Sequence, residues 1–195
     1  MVHVAKKILF VICSFFNNLY NFFTLKRKKV KYGKNLIING KISIYGNSEV
    51  EIGNNVVINS CESSNPIGGP NKTILNARNG GAIHIGDNCG ISNSALVSFA
   101  GITIGNNSLL GGGCCIYDTD FHSLKSENRD LVSQDDVKKM PVAIGNNVFI
   151  GAHTIILKGV TIGDESVIGA GSVVTKSIPP REIWAGNPAR FIRKV

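Results

Sequence analysis

The chain has 195 residues, of which 43% are hydrophobic, and its formal net charge is +8. This length predicts one domain with an added terminal element. The positive charge lies at the two ends: residues 1–31 hold seven Lys or Arg and no acid, and residues 176–195 hold five basic residues against one Glu. The middle of the chain is mildly acidic and carries no RNA- or DNA-binding motif, so no nucleic-acid partner is expected.

Residues 1–31 form a basic and aromatic segment that is predicted to be helical. Its apolar run, Ile8 to Phe16, has only nine residues and is too short to span a bilayer as a helix. A polybasic stretch follows where a secretory signal would need a small-residue cleavage site. Two compatible interpretations remain: a helix that caps the end of the following domain, or peripheral contact with an anionic membrane.

A six-residue spacing of aliphatic residues dominates the second half of the chain. Neither the helical period of 3.6 nor the strand period of 2 produces this spacing, so it indicates a solenoid whose inward aliphatics stack into one core. The residues are Ile144, Ile150, Ile156, Ile162, Ile168 and Val174. The same phase continues upstream at Ile85, Ile91 and Val97, and then shifts by one residue to Ile104, Leu110 and Ile116.

The tetrad Ile-Gly-Asn-Asn recurs at 52–55, 104–107 and 144–147, each time after a short strand-like piece. Gly, Asn and Asp accept the positive φ of a tight corner, so each tetrad predicts an inward aliphatic followed by a corner. The repeat is interrupted at residues 119–141, and an excursion of this length inside a compact fold is usually functional. The sequence Tyr117-Asp-Thr-Asp-Phe-His122 stands at its base.

Five cysteines show no CxxC spacing. Free thiols in a reducing cytoplasm are the favoured interpretation, because a disulfide or zinc framework would need paired spacings. Cys114 and Cys115 are adjacent and are expected to point to opposite faces of a strand. The protein is therefore expected to be cytoplasmic, or peripheral at the inner face of the membrane through residues 1–31.

Several motifs together resemble the hexapeptide-repeat acyltransferases, most closely the maltose, galactoside, capsule and exopolysaccharide O-acetyltransferases. They are Asp118–His122, residues 144–151, residues 168–176 and Ala185-Gly-Asn-Pro-Ala-Arg190. The resemblance implies a left-handed parallel β-helix over residues 32–177, with a tail at 178–195. The left hand comes from the resemblance alone, because parallel crossovers are generally right-handed.

The resemblance also implies the site residues. His122 matches the family's general base, with Asp118, Asp120 or a backbone carbonyl as the group that orients its ring. Asn93 and Tyr117 are the candidate acceptor contacts. Phe149 stands where the family has an indole. The candidate residues for binding acetyl-coenzyme A are Phe149, Gly151, Ala152, Ala170, Lys176, Arg190 and Arg193.

The sequence thus predicts acetyl-CoA-dependent O-acetylation of a saccharide acceptor, without a metal, by direct transfer in a ternary complex. A role in capsule, O-antigen or exopolysaccharide synthesis and a homotrimer with sites between subunits follow from the resemblance. Acetylation of an antibiotic, a serine or an amino sugar remains open, as does a non-catalytic scaffold. A zinc-dependent carbonic anhydrase of this fold needs a close His pair, which His84, His122 and His153 do not form in the sequence.

Overall fold

A computed structural model describes residues 2–65, 67, 69, 71–129 and 136–195, with the backbone alone for residues 2–10. It begins with one long helix, α1 (Val2–Arg27). The strands of the first half are β1 (Lys31–Tyr32), β2 (Ile37–Gly40), β3 (Ser43–Gly46), β4 (Val50–Ile52), β5 (Val57–Ser60), β6 (Ile74–Ala77), β7 (Ile83–Ile85), β8 (Gly90–Ser92), β9 (Ala95–Ser98) and β10 (Ile102–Ile104). Those of the second half are β11 (Leu109–Leu110), β12 (Cys115–Tyr117), β13 (Val142–Ile144), β14 (Phe149–Ile150), β15 (Ile155–Ile156), β16 (Thr161–Ile162), β17 (Val167–Ile168), β18 (Val173–Val174), β19 (Glu182–Ala185) and β20 (Arg190–Lys194).

Strands β1 to β18 form three parallel sheets, because each strand up to β15 pairs with the strand three places later in the chain. The first sheet has the order β1-β4-β7-β10-β13-β16, the second β2-β5-β8-β11-β14-β17-β19-β20, and the third β3-β6-β9-β12-β15-β18. Every three strands therefore complete one coil, and successive coils stack in register. The predicted left-handed parallel β-helix with an N-terminal helix and a short C-terminal extension is confirmed.

The aliphatic residues of the six-residue repeat form the interior column. All six from Ile144 to Val174 are buried, as are Ile104, Leu110 and Ile116. The prediction for Val97 was wrong: Leu96 is the buried residue of β9, and it pairs in register with Ile116. The phase changes here because Leu96 follows Ile91 after a step of five positions and not six. The side chain of Val97 therefore points outward.

The corners follow the chemistry predicted for the tetrads. The fourth residue of each lies in the left-handed region, with φ of 55° at Asn55, 59° at Asn107 and 56° at Asn147. The glycine is required by close approach between coils: a Cβ on Gly105 would lie 2.6 Å from the carbonyl carbon of Gly145. Because corners of successive coils lie directly above one another, a side chain at this position has no room.

The two ends of the solenoid are closed differently. At the N-terminal end, Leu25 of α1 and the following Val30 join the buried core. At the C-terminal end, β19 adds to the second sheet in parallel and β20 pairs back on it antiparallel. The last strand of the second sheet is therefore an antiparallel edge that carries several basic residues.

The excursion at 119–141 leaves the solenoid between β12 and β13. Its two ends run side by side: Thr119 forms an antiparallel bridge with Lys139, and the Met140 N–H donates to the Asp118 carbonyl at 2.8 Å. A short 3-10 helix covers Ser126–Asn128. The base of the excursion is thus an ordered part of the corner, and residues 130–135 lie outside the described part of the chain.

Candidate active site

Asp118 is fully buried, and its carboxylate is surrounded by donors from the preceding coil. Oδ2 accepts hydrogen bonds from the Ser98 hydroxyl (2.8 Å), the Ala100 N–H (2.8 Å) and the Gly101 N–H (2.7 Å), and Oδ1 accepts from the Phe99 N–H (2.7 Å). These four contacts hold the turn at residues 98–101. The hydrogen bonds of the Asp118 carboxylate therefore go to this turn, and none of them goes to the side chain of His122 among the described contacts.

His122 lies on the exposed side of the same corner. Phe121, immediately before it, has a φ of 64°, and the His122 N–H donates to the Asp120 carbonyl at 2.8 Å. This tight reversal turns the imidazole outward, where it is exposed and has no hydrogen-bond partner among the described residues. An accessible imidazole with a free ring nitrogen is the kind of group that general-base catalysis requires.

Three aromatic rings hold the backbone of the reversal. The Phe121 ring meets the ring of Tyr117 edge-on at 5.3 Å between centroids, and that of Phe99 at 6.2 Å. Burial, and then the neighbouring thiol of Cys115, raise the pKa of Tyr117 to about 12. The Tyr117 hydroxyl therefore stays protonated at neutral pH and can donate a hydrogen bond beside His122.

Asp120 is the second carboxylate of the corner, and its surroundings differ from those of Asp118. Oδ1 forms an ion pair with the ammonium group of Lys158, and the two side chains are only 19% and 24% exposed. Oδ2 is buried and accepts no hydrogen bond in the described part of the molecule. Lys158 thus fixes Asp120, which stands two residues before His122 in the chain and keeps Oδ2 without a hydrogen bond among the described residues.

Sequence reasoning missed Lys158. The register between coils is the feature that could have revealed it. Ile116 lies beside Ile156 in the third sheet, so the residues that follow these two also lie close together. Lys158, two residues after Ile156, is brought next to the corner in this way. A partner 38 residues away along the chain becomes visible only once coils can be counted through the 119–141 excursion.

Asn93 lies at the other end of β9. It is buried with a φ of 46°; its Nδ2 donates to the Asn71 carbonyl, and its Oδ1 has no partner in the described structure. β9 begins two residues later, at Ala95, and ends at Ser98, which contacts Asp118; its 4 residues span about 10 Å at the usual rise. One chain therefore does not bring Asn93 and His122 together.

The candidate cofactor residues begin on the outer face of the second sheet. Phe149 is half exposed in a row between Leu109 and Val167. Two residues later, Gly151 is buried, and a Cβ on it would lie 2.5 Å from the backbone nitrogen of Ala170, so the backbones of these coils are in close contact. The Gly171 N–H donates to the Ala152 carbonyl at 2.8 Å, which joins the coils at the corner. An exposed aromatic side chain is thus followed by a corner of small residues.

The predicted phosphate-binding residues all lie at the C-terminal end of the solenoid, but they are not close to one another. The Ala189 N–H donates to the Val173 carbonyl at 2.9 Å, so Arg190 lies near the start of β18. Lys176 follows the end of that strand, about 10 Å further along. Arg193 lies along β20, opposite Ile183. None of these three cations forms an ion pair with a described acidic side chain.

The histidines lie on different faces. His84 is on β7, where its Nδ1 lies 3.1 Å from a carboxylate oxygen of Glu51, and His153 occupies a corner with a φ of 59°. Among the residues that the structure describes, no group of three or more His, Cys, Asp or Glu side chains could hold a metal ion. The three histidines considered above therefore do not converge within the chain.

Comparison with known proteins identifies relatives of this arrangement. A family model described as the hexapeptide repeat of succinyl-transferase matches residues 82–118 and 141–176. Galactoside O-acetyltransferase of Escherichia coli is 44% identical over 117 residues, which is 60% of this chain and 56% of that protein. A relative from Schizosaccharomyces pombe is 45% identical over 53% of this chain and 48% of its own length. The chain spans about half the length of these curated relatives.

Solved structures cover more of the chain. A variant of AntD, an N-acyltransferase from Bacillus cereus, in complex with dTDP-4-amino-4,6-dideoxyglucose and coenzyme A, is 29% identical, with a TM-score of 0.71 over 90% of this chain and 89% of that one. A maltose O-acetyltransferase from Clostridium difficile is 25% identical, with a TM-score of 0.57 over 95% and 86% of the two chains. The described fold is thus shared with sugar-modifying acyltransferases.

Proposed function

Because this chain is a hexapeptide-repeat protein homologous to the acetyltransferases of that family, we propose that it is an acetyl-CoA-dependent O-acetyltransferase acting on a sugar hydroxyl. The observation that carries the proposal is the corner at Asp118–His122. The exposed imidazole of His122 lies there two residues after Asp120, whose Oδ2 accepts no hydrogen bond among the described residues, at the point where the repeat is interrupted.

The chemistry needs one proton to be moved twice. His122 removes the proton of the acceptor hydroxyl as its oxygen attacks the acetyl carbonyl carbon. Within one chain, residues 151–152 lie at the Asn93 corner, and the Gly151 N–H already donates to the Ile168 carbonyl, so the oxyanion that forms is stabilised by the Ala152 N–H of an adjacent subunit. When the carbon–sulfur bond breaks, the imidazolium returns the proton to the thiolate of coenzyme A. The acetyl ester and free coenzyme A are the products, and no acyl-enzyme forms.

The residues of the chain fit coenzyme A as the acyl donor. A pantetheine arm needs a smooth wall that leaves its amides access to backbone groups, and the surface at Gly151, Ala152 and Ala170 provides one beside the ring of Phe149. The phosphates need cations that are not already neutralised. Lys176, Arg190 and Arg193 meet this condition, and Arg suits a phosphate because it donates two parallel hydrogen bonds.

We propose a homotrimer whose sites lie between adjacent subunits. The supporting observation is the separation of Asn93 from His122 by the length of β9, together with an unpartnered buried oxygen at each end, on Asn93 and Asp120. Leaving such an atom unpaired costs about 1–3 kcal/mol, which a neighbouring chain or the acceptor can remove. A threefold arrangement brings the Asn93 corner of one subunit to the His122 corner of the next.

The assembly can be tested by mixing inactive variants. If the sites are shared, unfolding and refolding His122→Ala together with Asn93→Ala returns activity to about a quarter of the sites, because random trimers pair an intact His122 with an intact Asn93 at that frequency. If each site is complete within one chain, the mixture stays inactive. Light scattering on the refolded mixture checks that trimers have formed.

Capsule, O-antigen or exopolysaccharide synthesis in the cytoplasm, with peripheral contact at the inner face of the membrane, is the proposed setting. The five cysteines are free in the structure, which suits a reducing compartment, and acetyl-CoA is available there. N-acylation of a nucleotide-linked amino sugar is the second candidate, favoured by the similarity to AntD over nine tenths of the chain. In that case the amine replaces the hydroxyl as nucleophile and His122 keeps its role.

The decisive experiment measures free thiol released from acetyl-CoA with sugars, amino sugars, serine and capsule oligosaccharides as acceptors. We expect acceptor-dependent release that falls about 10²- to 10⁴-fold in His122→Ala, while calorimetry still detects coenzyme A binding. His84→Ala is the matched control, because His84 is also an outward-facing imidazole but lies on the first sheet. Full activity in His122→Ala would contradict the proposed base. Absence of both release and coenzyme A binding would favour the scaffold interpretation.

A further inference from the structure

The polar side of helix α1 faces the solenoid. The side chains of Ser14, Asn17, Asn21 and Thr24 are buried or half-buried, and they recur at the three- and four-residue spacing of one helical face. Asn21 makes the main contacts: its Nδ2 donates to the Gly40 carbonyl at 2.8 Å, and its Oδ1 accepts from the Ile42 N–H at 3.1 Å. The helix is therefore held to the first coil by hydrogen bonds.

The apolar side of α1 faces solvent. At about 100° per residue, its large apolar residues occupy the half of the helix opposite the asparagines. Phe15, Phe16 and Phe23 are 63%, 59% and 58% exposed. The complete set is Val11, Ile12, Phe15, Phe16, Leu19, Tyr20, Phe22 and Phe23. A contiguous exposed apolar face of this size marks an interaction surface.

Capping of the solenoid does not account for this face. Only the last turns of the helix close the core, through Leu25, Val30 and a hydrogen bond from the Lys28 ammonium to the Gly46 carbonyl (2.8 Å). Nearer the N-terminus of α1, a groove of about 810 Å³ separates the helix from the first coil, and Asn17 and Asn18 are among its lining residues. A helix that served only as a cap would turn its phenylalanines toward that coil.

The charge of the segment selects the partner. Seven Lys or Arg and no acid lie within residues 1–31. Lys26, Arg27 and Lys29 make no ion pair with the acidic side chains that the structure describes. A second copy of the helix would bring seven more charges of the same sign, which repel. An anionic lipid surface offers both an apolar phase for the rings and negative charge for the cations.

We propose that α1 lies in the surface of an anionic bilayer, with its phenylalanine face among the lipids and its asparagine face toward the solenoid. No described helix is long and apolar enough to cross a membrane, so the contact is interfacial. The coils then extend away from the bilayer. His122 follows β12, three coils from β1 in the stack, so it lies about 15 Å from the first coil and remains in water. This inference is independent of the proposed acetyl transfer.

The test is sedimentation of the full chain with lipid vesicles. Wild-type protein is expected to bind vesicles of phosphatidylcholine with 30% phosphatidylglycerol at least tenfold more strongly than pure phosphatidylcholine at low salt. Phe16→Ser/Phe23→Ser is expected to lose at least tenfold in partition. Tyr45→Ser/Phe191→Ser removes two exposed aromatics from the solenoid instead and is expected to bind like wild type.

A charge variant separates the electrostatic part. Lys26→Gln/Arg27→Gln/Lys29→Gln should weaken binding to the anionic vesicles about fivefold per lost cation at low salt, and much less at high salt. Equal binding of wild type and Phe16→Ser/Phe23→Ser, with both folded by circular dichroism, would overturn the proposal. So would failure of folded wild type to bind any vesicle. A lipid-free assembly that is larger for wild type than for the phenylalanine variant would instead assign the face to a second copy.

Discussion

Two corners of the same solenoid are built from similar residues and treat their polar groups differently. At the regular corner of residues 144–147, the Asn146 N–H donates to Asp164 at 2.7 Å, and the Asn146 side chain accepts from the Asn106 N–H at 2.8 Å. At the interrupted corner, the carboxylate of Asp120 keeps an unpartnered oxygen and the imidazole of His122 is exposed. At the regular corner the Asn146 groups are used for stacking, whereas at the interrupted corner two polar groups have no partner among the described residues.

The comparison also divides two carboxylates that are two residues apart. Asp118 binds the neighbouring coil as the residues of the regular corners do, and Asp120 is proposed to belong to the candidate site. Removing one should therefore damage the fold, and disturbing the other should damage the activity. The following changes test that division, from the largest expected effect to the smallest.

Asp118→Ala is expected to lower the free energy of unfolding by at least about 3 kcal/mol, because the buried N–H groups of residues 99–101 lose their acceptor. Urea unfolding with an unchanged slope measures the loss. Asp118→Asn keeps one acceptor oxygen, so its free energy of unfolding should lie between those of the wild type and Asp118→Ala. A stable Asp118→Ala protein with low activity would show that Asp118 belongs to the chemistry after all.

Lys158→Met is expected to lower kcat/KM about 10- to 100-fold, because Asp120 loses the cation that fixes it beside His122. Lys158→Arg retains the charge and should recover much of the activity. The unfolding midpoint shows whether the fold is affected. A loss that Arg does not repair, accompanied by a lower midpoint, would make Lys158 a purely structural residue.

Gly105→Ala tests the regular corners. The added Cβ would meet the backbone of the next coil at 2.6 Å, so we expect a loss of about 1–3 kcal/mol in unfolding free energy. Gly80→Ala is a control outside the stack, where a Cβ meets nothing within 4 Å and only the positive φ of 85° opposes it. Because the φ of Gly105 is not positive, a loss no larger than that of Gly80→Ala would contradict the contact between coils as the reason for this glycine.

The buried thiol of Cys114 is expected to make the stability of the fold depend on pH. Burial raises the pKa of its thiol from 9.0 to about 11, so the folded state holds the proton more tightly than the unfolded chain. The stability that this difference in pKa contributes is present in full below pH 9 and is lost as the pH rises toward 11. We expect this to remove up to about 2 kcal/mol of stability over that range. Cys114→Ala should flatten this part of the pH profile, and an unchanged slope would contradict the assignment.

Residue spacing was sufficient for the repeat and its corners. The aliphatic period and the tetrads predicted the buried column and the positive φ at Asn107 and Asn147, because both depend on interactions within one hexad. The prediction for Val97 was wrong because the corner before β9 is one residue shorter, which moves Leu96 inward. No local sequence pattern indicates this shortening. The interruption at 119–141 could likewise be seen in the sequence and drew attention to His122.

The tertiary structure alone decided which polar groups meet. The contacts of Asp118 with residues 98–101, the pairing of Asp120 with Lys158 and the distance between Asn93 and His122 all join different coils or opposite ends of a strand. The direction of α1 was decided in the same way, since Asn21 binds backbone groups about twenty residues away. The sequence by itself determined the solenoid, because its period is a local property. The stacking of coils decided the site, because parallel stacking places side by side residues that the chain order keeps 17 to 40 positions apart.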